Sequence, residues 1–260
     1  ELFSDPTYSE FLSGITEELS ESSYLPVILQ ASSTHERNRA REHFERRSFD
    51  AVIDVSPYKG SELLEVLREL SVPTVLCGQL EGHPYRDVFS TVYSDDEEGG
   101  HFAALAMKER GRKDIVAVLG PQDNPAVIDR LRGYRAVLDK DLPDENVVYT
   151  GWNSGDGYQA MHQLLAREIT FDGVLCGSDR IATGVITALN EVGLSVPADV
   201  SVVGFDDHEI AARCVPALTT VGQPLREEGH MAANIALDMI KGAEPTTTVM
   251  HMQLVQRDSL

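Results

Sequence analysis

The sequence is poor in cysteine, tryptophan and positive charge. Its 260 residues hold three cysteines, Cys77, Cys176 and Cys214, odd in number and far apart. A set so sparse argues against a disulfide framework and suits a reducing compartment, so a cytoplasmic location is expected. Lysine and arginine number 22 against 42 aspartates and glutamates, for a formal net charge of -20. A surface this acidic repels phosphate backbones, so this segment is not expected to grip nucleic acid itself, which leaves room for a basic domain attached elsewhere. No apolar run approaches the ~20 residues that cross a bilayer, so no membrane partner is expected. No secretory leader precedes Glu1, a weak sign, since a processed or shortened chain would lack one too.

Motifs of catalysis are missing as well. There is no Walker A loop, and Gly151, Gly155 and Gly157 do not make G-x-G-x-x-G. No G-x-S-x-G elbow occurs. The eight histidines are scattered, without H-E-x-x-H or another paired metal spacing, so no metal and no cofactor is expected. The acidic run Asp95 to Glu98 has a simpler reading, because a helix N-terminus favours acidic residues. An enzyme is therefore not expected.

What is present is alternation. Apolar stretches that read as strands (26–30, 51–55, 72–77, 115–119, 147–150, 173–176, 200–205 and 249–255) alternate with stretches of helical period. That order predicts an α/β fold of parallel sheets with helices on both faces. Asp5 and Pro6 suit the start of a first helix, whose Tyr8, Phe11, Leu12, Ile15 and Leu19 share one face. Further helices are predicted over 37–47, through Leu63, Leu64, Leu67 and Leu70, and over 95–110, 126–138, 156–167, 179–192 and 225–240. Gly111 supplies the left-handed stop after the helix over 95–110. The chain opens on a helix without the strand a βα fold starts with, which suggests upstream sequence. Its length suits two doubly wound units, and the late helix 225–240 suggests a return to the first. Ligands of such sheets bind outside the carboxyl ends of the strands, so the expected site is the cleft between two lobes.

The segment 178–225, SDRIATGVITALNEVGLSVPADVSVVGFDDHEIAARCVPALTTVGQPL, resembles the signature of the lac repressor family of bacterial transcription regulators. Its matching parts are SD-x-x-A-x-G-x-x-x-AL, the run VP-x-DVSVVGFDD, and P-x-LTTV-x-Q. Asp5-Pro6-Thr7-Tyr8, Arg130-Leu131-Arg132-Gly133-Tyr134, Gly99 behind Asp95-Asp96, and Val255-Gln256-Arg257-Asp258-Ser259 extend the resemblance over essentially the whole chain. It implies two periplasmic-binding-protein-like lobes of type I hinged by three crossovers, near Gly111, Gly222-Gln223 and Ala243. The lobes would be 1–110 with 223–243, and 111–222 with 244–260. It also implies a homodimer and a helix-turn-helix head that reads operator DNA, a head this segment does not contain.

The same resemblance points to ligand-binding residues. Arg130 would donate its planar fork to ligand hydroxyls or a carboxylate, with Arg132 the exposed arginine. Asp206 ends an apolar strand and would accept from sugar hydroxyls. Trp152, the sole tryptophan, would stack on a sugar face, with Tyr8 as a second platform or a core residue of its helix. Asp179 is most simply a helix N-cap, while Ser178 before it matches a family position that contacts ligand. Gln223 is a ligand or hinge residue, and Asp54, Ser56 and Asp95 are weaker candidates. The implied function is a regulator gated by a small effector, most simply a carbohydrate. The alternative is a periplasmic sugar-binding protein of a transport system, which shares the fold.

Overall fold

The computed structural model describes residues 6–31, 33–55, 62–78, 85, 87–138, 142–167 and 169–260. Asp5 and Ser56 lie outside them. The chain divides into two compact units: Glu1–Ser94 with Pro224–Met250, and Asp95–Gln223 with His251–Leu260.

Unit 1 opens with α1 (Pro6–Leu19) and α2 (Thr34–Glu45), followed by β1 (Val52–Val55), α3 (Glu62–Glu69), β2 (Thr74–Cys77) and β3 (Ser90–Ser94). The chain returns to it for α9 (Leu225–Ile240) and β9 (Thr247–Met250). The sheet is parallel throughout, in the order β1-β2-β3-β9. The apolar stripe predicted for α1 is real, with Phe11 and Ile15 buried against Ala232, Ala233 and Ala236 of α9. Gly14 and Gly229 let the two helices touch, since a Cβ on either would overlap a carbonyl of the other helix. The opposite sheet face packs Ala40 and Phe44 of α2 with Leu64 and Leu67 of α3.

Residues 26–30, expected as a buried strand, have no regular structure, and Leu25, Val27 and Ile28 are 86, 65 and 46% exposed. An apolar run becomes a strand only when a neighbour completes its ladder, and no described residue does so here. Conversely, β3 was not anticipated. Its Ser-Thr-Val-Tyr-Ser sequence is half polar, yet Ser90 and Ser94 are buried and hydrogen-bonded.

Unit 2 holds α4 (Asp96–Glu109), β4 (Ile115–Leu119), α5 (Pro125–Leu138), β5 (Val147–Tyr149), α6 (Ser154–Leu165) and β6 (Gly173–Cys176). Then come α7 (Asp179–Glu191), β7 (Ser201–Asp206), α8 (Glu209–Arg213), β8 (Thr219–Gly222) and β10 (Gln253–Val255). Its sheet order is β10-β8-β7-β6-β4-β5, parallel except that β10 runs antiparallel to β8. Two apolar layers cover it: α4 and α5 on one face, α6 and α7 on the other.

The second crossing between units falls at 223/224, where it was expected, while the first and last fall at 94/95 and 250/251 rather than near 111 and 243. The first differs because Gly111, at φ +84°, ends α4 as expected but marks no unit boundary. Helix α4 belongs to unit 2, where Gly100 and Gly133 bring it against α5 so closely that a Cβ on either would overlap a backbone carbonyl of the other helix. The last differs because the single closing strand expected over 249–255 is two strands, β9 in one sheet and β10 in the other, parted by His251 and Met252.

Candidate functional site

The carboxyl end of the unit 2 sheet gathers most of the candidate residues. Arg130 projects from α5, Gly177 and Ser178 follow β6, Asp206 ends β7, and Gln223 follows β8. Trp152 lies between β5 and α6. The close α4–α5 contact places Asp96, the first residue of α4, against Arg130.

Arg130 is 4% exposed, so its guanidinium is held rather than free. Its Nε donates to Asp96 Oδ1 at 2.7 Å, and its Nη1 donates to the Gly177 carbonyl and stands 3.6 Å from Asp206 Oδ1. Its plane covers the Phe205 ring, with Cζ 3.7 Å from the ring centroid and 6.0 Å from that of Trp152. Such stacking on a desolvated aromatic face stabilises a cation. Burial opposes the charge of Arg130, and Asp96 and Asp206 more than compensate, so its pKa is raised. Burial pushes the Asp96 carboxyl up further than Arg130 draws it down. The two partners thus shift in senses that favour and disfavour ionisation respectively. The short contact between opposite charges decides for the ionised pair.

Asp206 is 7% exposed, sits at φ +105°, and accepts from Gln223 Nε2 at 2.5 Å. Asp207, at φ +60°, turns away and pairs with Arg257 at 2.6 Å. The left-handed turn at these two residues is what aims neighbouring carboxylates at different partners. Behind Asp206 lies Asp179, which accepts from the Thr220 hydroxyl at 2.6 Å and from the His208 N–H at 2.8 Å. Burial, and then Asp206, push its carboxyl well above the ordinary range.

The cap of α7 corrects one expectation. Ser178, not Asp179, is the N-cap, its Oγ accepting from the Ile181 N–H at 3.2 Å. Asp179 is the first helical residue, and its side chain turns inward to Thr220. Asp95 caps α4 in the same way, accepting from the Glu98 N–H at 2.9 Å. Trp152 is half-buried over Gly120, where a Cβ would come within 2.5 Å of the indole. Arg132 is the exposed arginine, paired with Glu97 and Asp129 at 2.9 Å each.

Two candidates stand in unit 1. Tyr8 is half-buried on the first turn of α1. Asp54 interrupts β1, and burial raises its carboxyl to about 6. Asp96 and Phe205 were missed in the sequence. Asp96 was absorbed into an acidic helix start and Phe205 into an apolar strand, and only the α4–α5 contact reveals their common partner. Among the described residues, no three histidine, cysteine, aspartate or glutamate side chains are grouped to hold a metal ion. No described helix is long and apolar enough to cross a membrane.

Residues 104–260 match the family model described as a periplasmic binding protein-like domain. The chain is 32% identical to the HTH-type transcriptional regulator CelR of Thermobifida fusca, covering 99% of this chain and 77% of the relative. It is 31% identical to the HTH-type transcriptional repressor PurR of Salmonella arizonae, covering 97% and 76%. The solved complex of regulator CelR with cellobiose superimposes with a TM-score of 0.93 at 32% identity, over all of this chain and 80% of the other. A LacI family regulator from Enterococcus faecium with bound ribose gives 0.85 at 26% identity, covering 98% and 94%. These relatives are regulators rather than transport components. The chain belongs to the LacI family of transcription regulators and corresponds to their ligand-responsive, effector-binding core.

Proposed function

We propose that the effector is a carbohydrate, bound at the carboxyl end of the unit 2 sheet by Arg130, Asp206, Trp152 and Gln223. One observation carries this reading: a guanidinium, a carboxylate and an indole stand within a few side chains of one another at the strand ends. Sugar hydroxyls both donate and accept, so a paired carboxylate and guanidinium satisfy them while the indole covers the apolar ring face. Ser178, although its oxygen accepts from the helix, keeps its O–H to donate. Tyr8 of unit 1 is retained as a further candidate contact. The sugars named in the relatives' complexes, cellobiose and ribose, support the class.

The core would act by differential affinity, the effector favouring one conformation over another and so shifting how much regulator is competent for DNA. In this reading it works as a cytoplasmic homodimer, meets operator DNA through a helix-turn-helix head, and binds its sugar without turnover. A thermal-shift screen of mono- and disaccharides tests the site. Ligand at 100-fold over Kd stabilises the native state by about 2.7 kcal/mol. A sugar-dependent shift abolished by both Arg130→Met and Asp206→Asn supports the assignment. A shift that survives both overturns it.

A further inference from the structure

We infer that the first turn of α4 ties Arg130 to the crossings between units, with Asp96 as the positioning residue at the guanidinium and Glu98 as the one at the returning chain. The inference rests on the reading of Arg130 as an effector contact, and it gives that site its regulation.

Each crossing is fastened to the site or to the helix turn beside it. The first, at 94/95, leads into α4, whose opening residue Asp96 accepts from Arg130 Nε at 2.7 Å. The second, at 223/224, follows Gln223, whose Nε2 donates to Asp206 Oδ1 at 2.5 Å. The third, at 250/251, is followed by His251 and Met252, and both meet Glu98. His251 Nδ1 stands 3.1 Å from Glu98 Oε2, and the Met252 N–H points at the same oxygen from 3.4 Å. Residues two apart lie on nearly opposite sides of a helix, so Asp96 and Glu98 give one turn two grips in different directions. Glu97 between them serves neither, being paired with Arg132.

The packing follows the same route as the bonds. Met252 is buried, and Gly99 admits it to α4: a Cβ there would fall 2.5 Å from Met252 Sδ and 2.7 Å from Phe205 Cζ. Phe205 in turn carries the Arg130 guanidinium on its ring. The path from Arg130 to Met252 is thus contiguous twice over, through Asp96 and the helix turn, and through Phe205. Close-packed contacts of this kind pass on a displacement instead of absorbing it. A ligand that draws on the guanidinium changes its hold on Asp96. The turn carries that change to the backbone at 94/95 and at 251–252, while Gln223 reports on Asp206 at 223/224.

The test is residue-resolved hydrogen–deuterium exchange on the full chain without any ligand. Arg130→Met keeps bulk over Phe205 and removes the donors. The amides that report on the turn are those of Glu98, bonded to Asp95 Oδ1, Gly99, bonded to the Asp95 carbonyl, and Met252. In Arg130→Met they should exchange about tenfold faster or more, as expected for loss of hydrogen bonds to a charged group. The Asp156 amide, bonded to the Asn153 cap of α6, should keep its rate. A merely structural role for Arg130 would quicken all four together. Asp96→Ala should reproduce the pattern and also shift the emission of Trp152, the only tryptophan, whose ring centroid lies 6.0 Å from Arg130 Cζ. Asp96→Asn, which keeps an acceptor for Nε, should restore both readouts. Arg130→Lys, which keeps the charge and loses the fork, repeats the measurement if the methionine variant does not fold. Unchanged rates at Glu98, Gly99 and Met252 in a folded Arg130 variant would overturn the inference, as would a rise shared equally by Asp156. The measurement uses no sugar, so its failure is separate from failure of the carbohydrate screen. Local quickening with no sugar hit would leave the tie between Arg130 and the crossings standing and remove the carbohydrate.

Discussion

Asp54 should make unit 1 less stable as the pH rises, the opposite of what most carboxylates do. It lies in β1 between Ile53 and Val55, with Leu76 as its register partner on β2. Strand alternation places it on the sheet face of Val52, whose neighbours are Phe44, Leu64, Leu67 and Leu76. Burial there raises its carboxyl from 3.8 to about 6. Cys77 on β2 senses the Asp54 carboxylate, and the shift of Asp54 itself is caused by burial. The folded protein therefore holds this proton more tightly than the unfolded chain. The stability it contributes is fully present below about pH 4, declines as the pH rises, and is gone above about pH 6. A shift of about two units corresponds to about 3 kcal/mol at most. Asp54→Asn removes the titration at nearly constant shape. Urea unfolding of wild type and variant at pH 4 and pH 8 gives a double difference in which the cost of burying the amide cancels. The variant should gain up to about 3 kcal/mol relative to wild type between those two pH values. An equal effect at both pH values, or a variant less stable at pH 8 than at pH 4 relative to wild type, would refute the burial argument.

Other outcomes follow from single contacts. Gly133→Ala drives a methyl into the Glu97 carbonyl, so denaturant unfolding should show a loss of about 1–3 kcal/mol and effector affinity should fall with it. Ser178→Ala removes the cap of α7 and should cost about 1 kcal/mol in the same assay, whereas Asp179→Ala should not act through capping. Cys77 and Cys176 are buried and their thiols pushed upward, so a thiol reagent should modify half-buried Cys214 first in the native protein; equal rates for all three would contradict their burial. Gly120→Ala should displace Trp152 and shift its emission without unfolding the protein.

Much of this architecture is written locally. Where a strand is buried on both faces, as at Ile115–Leu119 or Gly173–Cys176, it is a continuous apolar run and its limits can be read directly. Where burial is shared with hydroxyls, as at Ser90–Ser94, composition conceals it. The run over 26–30 misleads for the converse reason, since its apolar residues join no ladder among the described residues. Short α8, at five residues, has too few positions to show a period. The site divides in the same way. Arg130, Asp206 and Gln223 could be named from motifs, and the structure joins them. Their coupling to Asp96 depends on two helices meeting at Gly100 and Gly133, which no local pattern announces. The unit boundary at 94/95 was hidden for a related reason: a helix stop and a crossing between units look alike in sequence, and only packing tells them apart.

The split between β9 and β10 bears on how the protein is made. The unit 1 sheet joins β3 to β9, from Ser94 to Met250, and the unit 2 sheet joins β8 to β10. Ser259 then locks to Val202 and Thr219. A ribosome that has polymerised the first two hundred residues has therefore finished neither sheet, although domains commonly fold in turn from the N-terminus. Both units wait for the same stretch of about a dozen residues, and pairings so distant along the chain form slowly. Until that stretch emerges, β3 and β8 each present an open edge to other chains. Synthesis that stalls before Thr247 would leave two incomplete sheets rather than one finished unit and one unfinished.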